Sequence, residues 1–472
     1  MSASSIPGFS KFAVVAMVLA LVALAAFSAN VVNAQVFPPE VNVVLAPGES
    51  VNIDKVVGTP TIPPVLDLCL LVDNSGSYID DLPNILAADD GLFDDIRAQV
   101  ADSQFCTATF VDFPVSPYGS AVTGDYAYKL DQDLTTTKAT WTGANSAMII
   151  RFGGDGPESQ YEALWQMSGA LGSAPPSWRV GATSVIAITT DAPFHDSDSE
   201  GAYPGHGGVA TTAALVANGR RVIAIKAPGS TGQMDAIATA TGGSVVTTGA
   251  SSAEIADAIL QGLGNLPVTV TPSVVGCDPL VVSFAPASKT VTSGDDAVFM
   301  ETIAVPNDAS LEGTSVDCTV VFVDENGNVL GTQRITVKIP DTTPPVAGCE
   351  ETNNPSGGNV PGAPGKGGQG QNQDGFYVLS AVDRVDPDPA LYLVDKGADN
   401  VFGTADDATF GPFSSPTKIK YTEANGATPT QDPGAGDIDW KIKGQGDAAV
   451  YAVDASGNTS AVVECLVPPK PQ

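Results

Sequence analysis

Val65-Leu-Asp-Leu-Cys-Leu-Leu-Val-Asp73-Asn-Ser75-Gly-Ser77 is the stretch on which the reading of this chain turns. Apart from Asp67, residues 65–72 are continuously apolar, the pattern of a parallel strand buried on both faces. Similar runs follow at Thr107-Ala-Thr-Phe-Val111, Ser184-Val-Ile-Ala-Ile188 and Arg221-Val-Ile-Ala-Ile225. Helix-like segments at 82–100, 158–171, 209–218 and 253–260 lie between or after them. Strands alternating with helices predict a doubly wound α/β domain with a parallel sheet over residues 65–264.

On either side the texture changes. Residues 36–64 alternate like strands around a Pro47-Gly48 turn, and residues 266–340 read as an Ig-like β-sandwich with a hairpin signal at Glu325-Asn-Gly327. Residues 341–374 read as a stiff linker, Asp341-Thr-Thr-Pro-Pro345, followed by a flexible Gly/Pro-rich loop; a β-rich module is expected at 375–467. The apolar run 12–27 and the small residues after it predict a signal peptide over 1–34, cleaved after Ala34, with an uncleaved anchor as the alternative. A secreted or cell-surface protein is expected. Six cysteines in an exported chain suggest disulfides. Their connectivity is open, but sequential pairing gives one bond per domain: Cys277–Cys318, Cys349–Cys465 and Cys69–Cys106, with buried free thiols as the alternative for the last pair.

The 472 residues include 53 acidic and 21 basic side chains, a net charge of −32. A surface of that sign excludes nucleic-acid backbones and anionic lipid as partners. With 43% apolar and 16% charged residues the chain is folded, multidomain protein rather than an acidic disordered tail. The acidic excess either solvates the surface or supplies ligands for hard cations.

In open α/β sheets ligands bind beyond the carboxyl ends of the strands. At those positions stand Asp73, Ser75, Ser77, Asp80 and Asp81; then Asp112; then Asp155 and Glu158; then Thr189-Thr-Asp191. Oxygen donors from four loops suit a hard divalent cation. Asp395, Asp399, Asp406 and Asp407 have the Asp/Gly texture of a calcium loop without EF-hand spacing, and a plain turn explains them equally. His195 and His206 read as solvated loop residues. With no Gly-x-Ser-x-Gly or His-Glu-x-x-His motif, the chain is not expected to be an enzyme.

Asp73-x-Ser75-x-Ser77 resembles the metal-ion-dependent adhesion site of von Willebrand factor A domains. Further details are similar to the inserted (I-like) domain of integrin β subunits: Asp80-Asp81, Phe110-Val-Asp-Phe-Pro-Val-Ser-Pro-Tyr118, Asp155-Gly-Pro-Glu158 and Ile188-Thr-Thr-Asp-Ala192. The resemblance implies that Asp73, Ser75, Ser77, Glu158 and Asp191 surround Mg²⁺ or Mn²⁺. One position would stay open for an Asp or Glu of an extracellular protein partner. It implies Ca²⁺ at Asp80 and Asp81, residues that could instead cap the helix after them. A third ion is implied at Asp112, Asp155, Glu158 and the Pro157 carbonyl, although Gly153 stands where integrins supply an asparagine. It also implies that 36–64 and 266–340 are two parts of one hybrid-like sandwich, with Ser293-Gly-Asp-Asp-Ala-Val-Phe299 similar to a hybrid-domain strand. The function implied is metal-dependent cell adhesion or recognition; a structural surface-layer or matrix protein is the alternative. The oligomeric state is open.

Overall fold

The computed structural model describes residues 35–171, 173–226, 232–247, 252–352, 374–395, 401–422 and 448–465. The expected signal peptide, the loop at 353–373 and Asp399 lie outside the described residues. Among those described, no helix is long and apolar enough to cross a membrane.

Strands β1 (Val36–Phe37), β2 (Glu40–Val44) and β3 (Ser50–Gly58) precede β4 (Val65–Asp73), the apolar run that ends at Asp73. Next come α1 (Leu82–Gln99), β5 (Asp102–Phe110), β6 (Lys129–Thr135), α2 (Lys138–Ser146), α3 (Gln160–Ser168) and β7 (Thr183–Thr190). Helix α4 (Gly208–Ala217), β8 (Arg220–Lys226), α5 (Gly232–Ala240), β9 (Ser244–Thr247) and α6 (Ser252–Gly264) complete this unit. Its sheet runs β6-β5-β4-β7-β8-β9. β4 pairs in parallel with β5 on one side and β7 on the other, so the strand order reverses beside it.

Side-chain alternation in β4 explains the layers. Leu66, Leu68, Leu70 and Val72 join one apolar cluster with Ile85, Leu92 and Ile96 of α1 and Ile259 of α6. Cys69 and Leu71 enter the opposite cluster with Leu164 and Met167 of α3 and Leu215 of α4. Each such leucine contributes about 1.5–3 kcal/mol by leaving water, which favours a strand covered on both faces. The polar exception, Asp67, is wholly buried at the far end of the sheet, where it accepts from Arg179 N (2.8 Å) and Nε (2.6 Å). The sheet is mixed rather than parallel throughout, because β6 joins its edge antiparallel. That strand is half-buried and mostly polar, so no apolar run marks it in the sequence.

β10 (Pro267–Val275), β11 (Val281–Ala285), β12 (Lys289–Thr292), β13 (Asp296–Ala304), β14 (Ser315–Val323) and β15 (Val329–Lys338) follow α6. They complete two sheets with the strands of the N-terminal flank, in the orders β1-β3-β13-β11 and β12-β10-β14-β15-β2. β3 lies antiparallel to β13 from Ser50↔Ala304 to Gly58↔Asp296, and β2 lies parallel to β15. One apolar core, including Val57, Phe299, Phe322 and Ile335, draws on both sheets. Cys318 of β14 bonds Cys277, with Cα atoms 4.9 Å apart. Cys277 sits in the turn that leaves β10 for β11, so the bridge ties β14 to that crossover and does not join two strands face to face across the sheets.

β16 (Val346–Thr352), β17 (Asp374–Val382), β18 (Ala390–Asp395), β19 (Ala408–Phe413), β20 (Thr417–Thr422), β21 (Ala448–Val453) and β22 (Val463–Cys465) form the last module. Its sheets run β16-β17-β20 and β19-β18-β21-β22, and Cys349–Cys465 joins one sheet to the other. Val346–Thr352 is thus a paired strand and not part of a linker, its seven residues lying against β17.

Candidate metal centre

The carboxyl end of β4 delivers Asp73, and the backbone then tightens into a single 3₁₀ turn, Gly76–Ile79, before α1. Asn74 N donates to Phe110 O (2.9 Å), which carries the parallel ladder one residue beyond β4. Asp73 Oδ1 accepts from Ser75 N (2.8 Å) and its Oδ2 from the Thr190 hydroxyl (2.6 Å). Gln160 Nε2 donates to Thr190 Oγ1 (3.1 Å) and to Ala192 O (3.3 Å), so the first residue of α3 braces the end of β7. Ser75 and Ser77 hydroxyls lie 3.2 Å apart, and Ser77 Oγ donates to Asp191 Oδ1 (3.0 Å).

Glu158 arrives from the loop before α3. Its backbone is stitched to the loop after β7, with N donating to Pro193 O (2.9 Å) and O accepting from His195 N (2.8 Å). The Ser159 hydroxyl anchors the same turn to Val111 O (2.9 Å) and Ala127 O (2.8 Å). Gly154 lies so close to Pro117 that a Cβ would stand 2.2 Å from its carbonyl oxygen. Loops after β4, after β7 and before α3 therefore bring Asp73, Ser75, Ser77, Glu158 and Asp191 to one rim.

The electrostatics show what this rim lacks. Asp73 is wholly buried and Glu158 is 3% exposed, and Glu158 Oε2 has no hydrogen-bond donor among the described residues. Burial, then the charges of Asp73 and Asp112, push the Glu158 carboxyl up to about 10. Burial lifts Asp73 to about 6 against the hydrogen bonds it accepts from Thr190 and Ser75. Among the described residues no lysine or arginine forms an ion pair with Asp73, Glu158 or Asp191. A divalent cation would discharge these carboxylates together, and a donor set made only of oxygens fits a hard ion such as Mg²⁺, Mn²⁺ or Ca²⁺.

Asp80 and Asp81 flank this rim. Asp81 takes the position before α1 but its side chain makes no capping hydrogen bond. Burial, then the charges of Asp80 and Asp191, raise its carboxyl above the ordinary range, which ties it electrically to the rim.

Around Asp112 and Asp155 the structure adds a residue that the sequence reading places elsewhere. His195 is not a solvated loop residue; it is 3% exposed. Its Nε2 lies 3.2 Å from Asp112 Oδ2 and 3.3 Å from Asp155 Oδ1, and its Nδ1 lies 2.5 Å from Glu200 Oε2. Burial alone would lower the imidazole, but bonding to Asp112, Glu200 and Asp155 outweighs it and raises the ring to about 9. Asp112 Oδ1 also accepts from Tyr203 Oη (2.9 Å). Oxygens of Asp112 and Asp155 and a nitrogen of His195 lie within 4.8 Å of one another. An imidazole thus stands between the two aspartates for which the resemblance implies a cation. Pro157 is half-buried on the same turn. His206 is also engaged, with Nδ1 2.5 Å from Glu162 Oε2 and its ring stacked on Trp165. Apart from Glu200, five residues from His195, these partners sit far apart in sequence, and only the Asp-rich setting of both histidines hints at them.

The structure pairs Cys69 with Cys106, which face each other across β4 and β5 with Cα atoms 4.4 Å apart. In the last module, Asp407 closes a turn by accepting from Gly403 N (2.7 Å), and Asp406 accepts from the Thr404 hydroxyl (2.8 Å). Those bonds are what a plain Asp/Gly turn makes; Asp395 lies at the end of β18 and Asp399 is outside the described residues.

No protein-family model and no curated protein matches the chain. Its structure is similar to those of von Willebrand factor A domains. The SpRpn10 VWA domain has a TM-score of 0.30 and 14% identity, over 42% of this chain and 95% of that one. A von Willebrand factor type A protein from Catenulispora acidiphila has a TM-score of 0.31 and 11% identity, over 67% and 76%. The pilus adhesin SpaC from Lactobacillus rhamnosus GG has a TM-score of 0.31 and 10% identity, over 85% of this chain and 59% of that one. Likeness at these values assigns neither a family nor a function, and the doubly wound α/β fold stands on the chain's own sheet order.

Proposed function

We propose that this chain is an exported recognition or adhesion protein, in which a divalent cation, Mg²⁺ or Mn²⁺, at Asp73, Ser75, Ser77, Glu158 and Asp191 binds an acidic group of a protein partner. The observation that carries the reading is the buried Oε2 of Glu158 beside buried Asp73, a pair of carboxylates with neither a donor at that oxygen nor a lysine or arginine counter-charge among the described residues. A bound ion held by such a set keeps residual positive charge on its solvent side, and an incoming Asp or Glu would complete its shell.

The surroundings suit a protein partner. Ile79 is 61% exposed and Phe152 75% exposed, and Phe152 lies against Gly76 in the Asp73 loop. Apolar side chains beside a charged centre are the composition of a recognition patch. Ca²⁺ at Asp80 and Asp81 would brace the same loop, and a further ion at Asp112 and Asp155 would have to share them with His195. Three disulfides support an oxidising, extracellular setting. The integrin-like reading of the inserted unit, and of the two flanking sheets as one hybrid-like sandwich, belongs to this proposal. The role is binding and not catalysis. A surface-layer or matrix role, with ions serving rigidity alone, is the second reading, and the exposed Ile79 and Phe152 favour the first.

Cross-linking of the intact protein to its native surroundings in Mg²⁺ and in EDTA separates these readings. A partner captured in Mg²⁺, lost in EDTA and lost with Asp191→Ala in a folded variant supports recognition. Capture that ignores both the ion and the substitution contradicts it.

A further inference from the structure

A second group of carboxylates meets where the two-sheet unit hands over to the last module. Asp341 follows β15, Asp383 follows β17 and Asp454 follows β21. Each offers one oxygen to a cluster whose atoms all lie within 4.8 Å of one another. Three segments distant in sequence therefore converge, and two of the three side chains are buried: Asp341 is 8% and Asp454 5% exposed.

Local bonding leaves the cluster short of positive charge. Asp383 Oδ1 accepts from Val385 N (2.7 Å) and Asp386 N (2.8 Å). Asp454 Oδ1 accepts from Asn458 N (2.8 Å) and its Oδ2 from Asn458 Nδ2 (2.9 Å). The same Asn458 amide donates to the Asp341 carbonyl (3.1 Å), so the linker backbone is tied to the Asp454 loop. Among the described residues, Asp341 Oδ1 accepts only a long bond from Thr343 N (3.3 Å), and its buried Oδ2 has no donor. Arg384, adjacent to Asp383, pairs instead with Glu312 (2.7 Å). Among the described residues no lysine, arginine or histidine forms an ion pair with the three aspartates. Burial first, and then the charges of Asp383, Asp454 and Glu312, hold the Asp341 carboxyl above its ordinary range.

We propose that Asp341, Asp383 and Asp454 hold one Ca²⁺ ion that fastens the end of the two-sheet unit to the last module. Carboxylate oxygens from irregular loops, with no nitrogen or sulfur donor among the three residues, suit the large and geometrically tolerant Ca²⁺ better than Mg²⁺ or Zn²⁺. The junction is already closely packed: Gly313 (φ +74°) lies where a Cβ would come 2.4 Å from Val385 Cγ1. A cation here would close the remaining repulsion and make the seating of the last module depend on Ca²⁺. This site rests on other residues than the Asp73 rim and stands or falls without it.

The test is calorimetric titration of Ca²⁺ into the full chain, stripped with EDTA and carrying Asp73→Ala and Asp81→Ala to silence the first rim. Adding Asp341→Asn and Asp454→Asn is expected to remove one Ca²⁺ equivalent, or to weaken it at least tenfold. Asp383→Asn alone, on a half-exposed loop, is expected to weaken it at least threefold in a protein with unchanged circular dichroism. Limited proteolysis reports the seating independently, and Ca²⁺ is expected to slow cleavage between residues 339 and 346 in the parent and not in the variant carrying Asp341→Asn and Asp454→Asn. Equal stoichiometry and affinity with and without the substitutions would overturn the proposal, as would tighter binding of Mg²⁺ than of Ca²⁺ at this cluster.

Discussion

Glu158 is held by its backbone against the loop after β7 while its carboxyl, buried and lacking a donor at Oε2, is pushed up to about 10. A metal-free protein must keep a proton there at neutral pH, and a dication would replace it. Glu158→Gln is accordingly expected to lower Mg²⁺ affinity at least tenfold in calorimetry while leaving the metal-free protein as stable as the parent or more so. Asp89 offers a pH test away from the rim. Burial, against a hydrogen bond from Asn145 (2.7 Å), lifts its carboxyl to about 7, above the 3.8 of a free side chain. The folded state therefore holds a proton that the unfolded state releases, so stability falls as pH rises from 3.8 through about 7. Asp89→Asn removes that slope. Urea denaturation in EDTA should show its advantage over the parent growing by up to about 4 kcal/mol between pH 4 and pH 8, since each tenfold change in proton affinity is worth about 1.4 kcal/mol. A constant difference across that range would contradict the assignment. Asp73, Ser75 and Ser77 were legible because they directly follow an apolar strand. His195 was not, since Asp112 and Asp155 reach it from separate loops with no spacing that a linear reading can register, and Glu200, five residues on in its own loop, carries no recognisable motif with it.

Loops and strands, at the next scale, position those residues. The turn carrying Glu158 depends on Gly154, where a Cβ would meet Pro117 O at 2.2 Å, whereas Gly156 has open space around it. Gly154→Ala should shift the turn, cost about 1–3 kcal/mol of stability as overpacking and weaken Mg²⁺ binding. Gly156→Ala should change neither, and equal effects in the two variants, read by thermal melts and calorimetry, would count against this role. Continuous apolar strands such as β4, β7 and β8 announce themselves because both faces must leave water. β6 and α2 gave no such signal. β6 is half-buried, and α2 buries chiefly Trp141, beside Phe93 and Phe105, together with Asn145, which accepts from Thr107 Oγ1 (2.6 Å). β16 escaped notice for a related reason: seven residues beside the Asp341-Thr-Thr-Pro-Pro345 segment carry too little pattern to separate a strand from a linker.

Across the whole molecule, the α/β unit leaves and re-enters a pair of sheets built from both of its flanks. Removing residues 35–58 would leave β13 without β3 and β15 without β2, opening two strand edges. Such a variant is expected to lose the cooperative unfolding of the two-sheet unit in scanning calorimetry; an unchanged transition would contradict the shared core. The net charge of −32 also divides at this scale. Part of it gathers at the β4, β5 and β7 ends, where cations and His195 can offset it, and the rest is spread over loops. The central claim is that a hard cation sits among Asp73, Ser75, Ser77, Glu158 and Asp191. Diffraction from crystals grown with Mn²⁺ and measured at the manganese absorption edge tests it most directly. An anomalous peak enclosed by those five side chains, and absent from Asp73→Ala crystals, is the expected result; manganese bound elsewhere with no peak at this rim would contradict it.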